Sequence, residues 1–236
     1  LTLILMLSTQ SMPKMIMGIR IDDMQVMMSF VFCFATMVLI LKVMGKTSLK
    51  EFVLGVGGKL NMKECLLVLG LFLVGYMLIV LPNLSYYRLR GVNAGEYIFL
   101  VVFMLLTAWT QTTWEELIFR GIVLRWVSKN NIGINKKTIL AAVISSVLFA
   151  LAHAINPEVT SRSGLDQIAM VCVYSIPGMA FFLMDLYFGN LMPGIIMHWV
   201  NNFTITVLLS GEVAAIAMPS LLVTTSSYSA YATLLG

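Results

Sequence analysis

The stretch CLLVLGLFLVGYMLIVLPNLSYY, from Cys65 to Tyr87, runs for 23 residues without an Asp, Glu, Lys or Arg. A helix needs about 20 apolar residues to cross a hydrocarbon core of about 30 Å. Lipid offers no water to an open backbone, so a segment of this kind spans as a helix, which satisfies its own hydrogen bonds. Six more uncharged runs of 18–26 residues lie on either side: Met24–Leu41, Tyr97–Trp114, Thr138–Pro157, Gln167–Met184, Leu186–Gly211 and Val213–Gly236. Six of the seven read as spans. The last is interrupted by Pro219 and the Ser- and Thr-rich stretch Thr224–Ser229. None shows the apolar/polar alternation of an outer-membrane barrel strand. The expected fold is all-α, a polytopic integral membrane bundle of about six to eight transmembrane helices. With no long linker, low-complexity tract or repeat, residues 1–236 read as one integral membrane domain.

Composition agrees with that solvent. Of the 236 residues, 59% are hydrophobic and 11% charged, with a mean hydropathy of +0.93. Soluble domains carry about 25% charged residues, so an ordinary water-soluble domain and a disordered chain are both excluded. The net charge of +4 does not point to nucleic acid, because the basic residues form no single patch. Lys42, Lys46, Lys50, Lys59 and Lys63 fill one connection between runs, and Arg125, Lys129, Lys136 and Lys137 fill another. By the positive-inside rule both connections face the cytoplasm. Leu1–Leu7 is short and has no basic residue before it, so no signal peptide is expected there. Cys33, Cys65 and Cys172 have no CxxC spacing and read as packing residues. The 18 methionines read as flexible membrane packing.

Ionisable groups in a bilayer cost about 2.5–3.5 kcal/mol each on insertion scales and are functional candidates by default. Here they fall into three motifs: TTWEELIFRG at 112–121, FALAH at 149–153 and HWVNN at 198–202, which hold both histidines of the chain. On a helix, Glu116 and Arg120 are four apart and can neutralise one another as a structural salt bridge. Glu115 points about 100° away. His198 and Asn202 share a face, as do Phe149 and His153. Asn201, at i+3, competes with Asn202 for proximity to His198. Asp185, near the end of its run, reads as an interfacial residue.

Depth is set by the basic connector. If the helices on either side of it form an antiparallel hairpin, with its midpoint near Ile134, Glu115 and His153 are 19 residues from the turn on opposite arms and lie at one height. Counted from the ends of that connector, they lie roughly 21–24 Å deep at 1.5 Å per residue. Access from the cytoplasm then requires tilt or a water-filled funnel. Thr112 or Thr113 can serve as an N-cap, with Glu115 or Glu116 at the capping-box position and the chain breaking near Gln111. In that case the helix dipole favours both carboxylates. The alternative is one long helix from Tyr97 to Val127.

Buried carboxylates, imidazoles and an amide suggest hydrolysis. HExxH zinc chemistry is excluded by the histidine spacing. A serine-type GxSG turn fails at Ser161–Gly164, where Ser161 stands in place of Gly, and Asp22, Asp23, Asp166 and Asp185 fit no two-aspartate pattern. A glutamate acting on water remains.

The three motifs resemble the EExxxR, FxxxH and HxxxN signatures of the CPBP (Abi) family, which is similar to type II CAAX prenyl endopeptidases and includes proteins linked to bacteriocin processing and self-immunity. The resemblance covers Thr112 to Asn202, in the family's order and spacing. It implies an intramembrane endopeptidase with Glu115 as general base, His153 acting with it on a water molecule, and His198 and Asn202 as an oxyanion site. Glu116 and Arg120 are implied as supporting residues, and the family spacing selects Asn202 over Asn201. No cofactor is expected. Members of the family have also been labelled metalloproteases, so zinc held by His153, His198 and a glutamate is the alternative. A non-enzymatic immunity factor, scaffold or small transporter is a third reading. The partners expected are membrane lipid and a hydrophobic or lipidated peptide. Buried carboxylates and water-poor oxyanion donors are physically suited to such chemistry; one donor is worth about 2.7–4 kcal/mol.

Overall fold

A computed structural model describes residues 14–55, 57–128, 135–210 and 218–224. Leu1–Leu7, Ile134 at the expected hairpin midpoint and most of the last uncharged run lie outside the described residues. A hairpin of β1 (Met15–Ile16) and β2 (Ile19–Arg20) leads into α1 (Ile21–Val43). Then come α2 (Leu49–Leu54), α3 (Met62–Val80), a 3-10 turn (Leu81–Tyr86) and β3 (Tyr87–Leu89). The centre of the chain is α4 (Ala94–Glu116), which passes through a π-helical segment (Leu117–Ile122) into α5 (Val123–Ser128). It is followed by α6 (Lys136–Ala152), α7 (Pro157–Thr160), α8 (Gly164–Phe188) and α9 (Met192–Phe203). A second π-helical segment (Thr204–Leu208) leads to β4 (Leu209–Ser210), and β5 is Leu222–Thr224.

Among the described residues three helices are long and apolar enough to cross a membrane: Ile21–Val43, Ala94–Trp126 and Gly164–Phe188. The other expected spans are shorter. The 19-residue α3 carries the opening run only as far as Val80 instead of a span to Tyr87. Pro82 lacks an N–H and fixes its φ, so the chain tightens into a 3-10 turn and then extends. α6 has 17 residues, and α9 has 12 before its π-helical extension. The described part of the interrupted last run is not helix. β5 pairs antiparallel with β3 (Arg88↔Val223) and parallel with β4 (Leu209↔Leu222), tying the segment before α4 to the one after α9.

The bundle is apolar outside and encloses a set of polar residues within an apolar core. Leu66, Leu67, Leu71, Val74, Met77 and Leu78 of α3 are exposed, whereas Thr112, Thr113, Ser145, Ser146, Asp185 and His198 are buried. This distribution suits a lipid solvent. The chain is a membrane protein with a helical bundle. α6 packs along α8 through the small buried residues Ala141, Ala142, Ser145, Ser146 and Ala150, which let the backbones approach. α9 packs against α3, α4 and α8, so the three motif-bearing segments meet beside α8. Cys33, Cys65 and Cys172 are free thiols.

Candidate active site

The first motif sits inside a continuous helix. Asn93 caps α4, its side chain accepting from the backbone N–H groups of Gly95 (2.8 Å) and Glu96 (3.3 Å). The expected break near Gln111 does not occur, and Thr112 and Thr113 are not N-caps. Their hydroxyls donate back to the carbonyls of Ala108 (2.9 Å) and Trp109 (2.7 Å). Without water as a competing partner, a threonine hydroxyl finds the carbonyl four residues earlier. Glu115 and Glu116 therefore lie in mid-helix, without the stabilisation of a helix N-terminus, and must be balanced by other charges.

They are balanced at close range. Relative exposure is 5% for Glu115, 0% for Glu116 and Arg120, and 2% for His198. Glu116 Oε1 is 3.1 Å from Arg120 Nη1 and 2.7 Å from His198 Nδ1. Glu115 Oε1 accepts from Gln111 Nε2 at 3.1 Å, and its Oε2 lies 3.6 Å from His198 Nε2. One imidazole thus addresses both neighbouring carboxylates. Arg120 also donates through Nη2 to the Gly178 carbonyl (3.3 Å), and its guanidinium lies 4.4 Å from the centre of the Phe149 ring. The π-helical segments begin directly after Glu116 and after Phe203, so two of the three helices carrying polar motifs change their hydrogen-bond register there. Such irregularities are frequent at functional positions.

The hairpin register expected from sequence is present: Phe119 and Phe149, each 15 residues from 134, meet edge to face at 5.5 Å. His153 ends α6 as its C-cap. Its Nδ1 lies 2.8 Å from the Phe149 carbonyl; because a carbonyl only accepts, Nδ1 carries the proton and Nε2 is left as the basic nitrogen. The His153 ring packs against Phe149 (4.3 Å) and stacks on Tyr174 (4.5 Å). Phe149 also meets the His198 ring at 5.5 Å and so bridges the two histidines. Asn202 is on the His198 helix one turn on, with its Oδ1 accepting from Asn201 Nδ2 at 3.2 Å.

The structure therefore brings Glu115, Glu116, Arg120 and His198 into direct contact, connects His153 through Phe149, and places Asn202 one turn beyond His198. Sequence reading missed Gly178 and Tyr174, whose residue types are unremarkable in an apolar run, and took Gln111 as a helix break and not as a partner of Glu115. Asp185 is corrected from interfacial to buried, at 1% exposure, with Oδ1 accepting from the Gly194 N–H at 2.7 Å. Among the described residues no three His, Cys, Asp or Glu side chains converge as a metal-holding group. A cavity of about 690 Å³ at the N-terminal end of α3 includes Lys59, Asn61 and Asn190 in its lining, and none of the clustered residues lines it.

Residues 97–204, which contain all three motifs, match the family model described as Type II CAAX prenyl endopeptidase Rce1-like. At family level the match supports a CAAX-protease-like intramembrane endopeptidase. Neither a curated protein nor a solved structure matches the chain.

Proposed function

We propose that this chain is a multi-pass glutamate endopeptidase of the cell membrane that cleaves membrane-associated or lipidated peptides. The observation that carries this reading is the Glu115 carboxylate: Oε1 is held by Gln111, while Oε2 is buried beside His198 and accepts no hydrogen bond among the described residues. It is a lone pair available to a water proton in a dry site.

In this mechanism Glu115 Oε2 takes a proton from water as the water oxygen attacks the scissile carbonyl carbon, with His153 Nε2 orienting the water. The carbonyl oxygen becomes an oxyanion and accepts hydrogen bonds from His198 Nε2 and Asn202 Nδ2. To donate from Nε2 while Nδ1 donates to Glu116, His198 carries both protons during this step. The 3.6 Å between His198 Nε2 and Glu115 Oε2 is longer than a hydrogen bond, so Nε2 is not committed to Glu115 before the oxyanion forms. Glu115 then delivers its proton to the leaving amine as the C–N bond breaks. Glu116 and Arg120 hold the imidazole in place.

The test compares wild type with Glu115→Ala, Glu115→Gln and His153→Ala at matched expression, on prenylated and unprenylated peptides, with and without a strong chelator. Loss of cleavage in all three variants, and chelator resistance of wild type, is expected. Wild-type-like cleavage by the variants refutes the assignment, and chelator-sensitive cleavage restored by zinc refutes the metal-free mechanism.

A further inference from the structure

None of the three motifs lies on α8, yet α8 touches all of them. Tyr174 stacks on His153 at 4.5 Å with 27° between the rings. Gly178 gives its carbonyl to Arg120. Phe181 stacks on His198 at 5.1 Å and 24°. Asp185 accepts from the N–H of Gly194, one turn before His198 on α9. These four positions are separated by 4, 3 and 4 residues, so at 100° per residue they fall within about 60° of one face.

We infer that this stripe of α8 is the template that sets the position of both histidines, with Tyr174 the positioning residue for His153 and Asp185 the positioning residue for His198. The inference rests on the endopeptidase reading for its catalytic consequence, but not for its structural one. Tyr174 is itself anchored. Its hydroxyl donates to Glu158, and Asn156 Nδ2 reaches the same pair, at 3.3 Å to the Glu158 carboxylate and 3.4 Å to the Tyr174 oxygen. His153 is thus clamped between Phe149 of its own helix and a tyrosine fixed from α7. At the other end of the stripe, a Cβ on Gly194 would lie 2.6–2.9 Å from the Asp185 carboxylate. Glycine there permits the direct carboxylate-to-backbone bond that sets how far α9, and His198 with it, is drawn toward α8.

Because the chain holds only two histidines, ¹⁵N-histidine labelling in nanodiscs gives one imidazole signal per site, assigned with His153→Gln. Tyr174→Leu is expected to shift the His153 ring signals downfield as the stacked ring's shielding is lost, and to leave His198 in place. Asp185→Leu is expected to shift His198 and leave His153. Tyr174→Phe and Asp185→Asn, which keep the ring and the acceptor, are expected to return each signal to near its wild-type position. Tyr174→Met and Asp185→Ala serve where a leucine variant does not fold. A His153 signal unmoved by Tyr174→Leu, or a His198 signal unmoved by Asp185→Leu, overturns the inference. In the cleavage assay the leucine variants should lower kcat about 100-fold with little change in KM, the expected effect of misplacing a reacting group by about 1 Å. Full activity in Glu115→Ala defeats the endopeptidase reading and leaves the resonance test standing. An inactive Glu115→Ala beside fully active Tyr174→Leu and Asp185→Leu defeats the template alone.

Discussion

Replacing Arg120 with leucine leaves the apolar volume of the site largely filled but withdraws the cation that faces Glu116. Three interactions end together. The ion pair at 3.1 Å has a Coulomb energy of about 5 kcal/mol at an effective dielectric of about 20. A charged hydrogen bond to the Gly178 carbonyl is worth about 1.5–3 kcal/mol. The guanidinium over Phe149 adds about 2 kcal/mol when desolvated. Against these stands the desolvation cost of burying arginine, which the variant no longer meets. The net expectation for breaking a buried pair is a loss of about 3–5 kcal/mol, because Glu116 stays behind as a carboxylate with less compensation. At 1.36 kcal/mol per decade, the folding equilibrium falls by about two to nearly four orders of magnitude. SDS-induced unfolding in mild detergent measures this. The double variant Glu116→Leu/Arg120→Leu should lose less than the sum of the single changes, since no unpaired charge remains. A loss below about 1 kcal/mol in Arg120→Leu, the level of an exposed surface pair, refutes the view that this arginine is the main counter-charge of the site.

Thr113→Val should change stability by no more than about 0.5 kcal/mol in the same unfolding assay, whereas loss of a true N-cap costs about 0.5–2 kcal/mol; among the described residues the hydroxyl bonds within its own helix. Gly194→Ala should destabilise by about 1–3 kcal/mol through overpacking against Asp185, seen as a lowered Tm. Outside the spans, the backbone N–H and the hydroxyl of Ser48 hold the exposed Glu51 carboxyl below its ordinary value. The start of α2 is therefore strengthened above the unfolded carboxyl's pKa, and that contribution is lost as pH falls through the lower folded value. Hydrogen exchange at the Ser48 amide should show protection declining on acidification across that window, and Glu51→Gln should abolish the dependence.

How much of this was legible in the sequence depended on whether the signal was local. The Glu116–Arg120 pair follows from a spacing of four, and the Phe119–Phe149 contact follows from equal distance to the hairpin midpoint expected at 134; both are properties of one helix or one hairpin. Thr112 and Thr113 misled because capping rules describe helices whose ends meet water, while these hydroxyls sit where the carbonyl one turn back is the available partner. The opening apolar run likewise stated its solvent correctly and its helix end wrongly, since hydropathy does not register the backbone restriction at Pro82. His198 bridging Glu115 and Glu116 requires the crossing of α9 over α4, and no spacing along one chain encodes that.

The inversion of polarity explains why the less legible part is also the chemical part. Where the solvent is lipid, apolar residues such as Leu67, Leu71 and Leu78 can face outward on α3 without cost, and the composition of a helix no longer tells its inner face from its outer one. What distinguishes the inner face is polarity that is paid for by partners on other helices. On α8 those positions are a tyrosine, a glycine, a phenylalanine and an aspartate, and only the aspartate belongs to the charged residue types. The charged motifs announce themselves because each charge in a membrane is an exception. The surface that orients them is built mostly from residues that are not exceptions, and it becomes visible only when Arg120, His153, His198 and Gly194 are found on one line along α8.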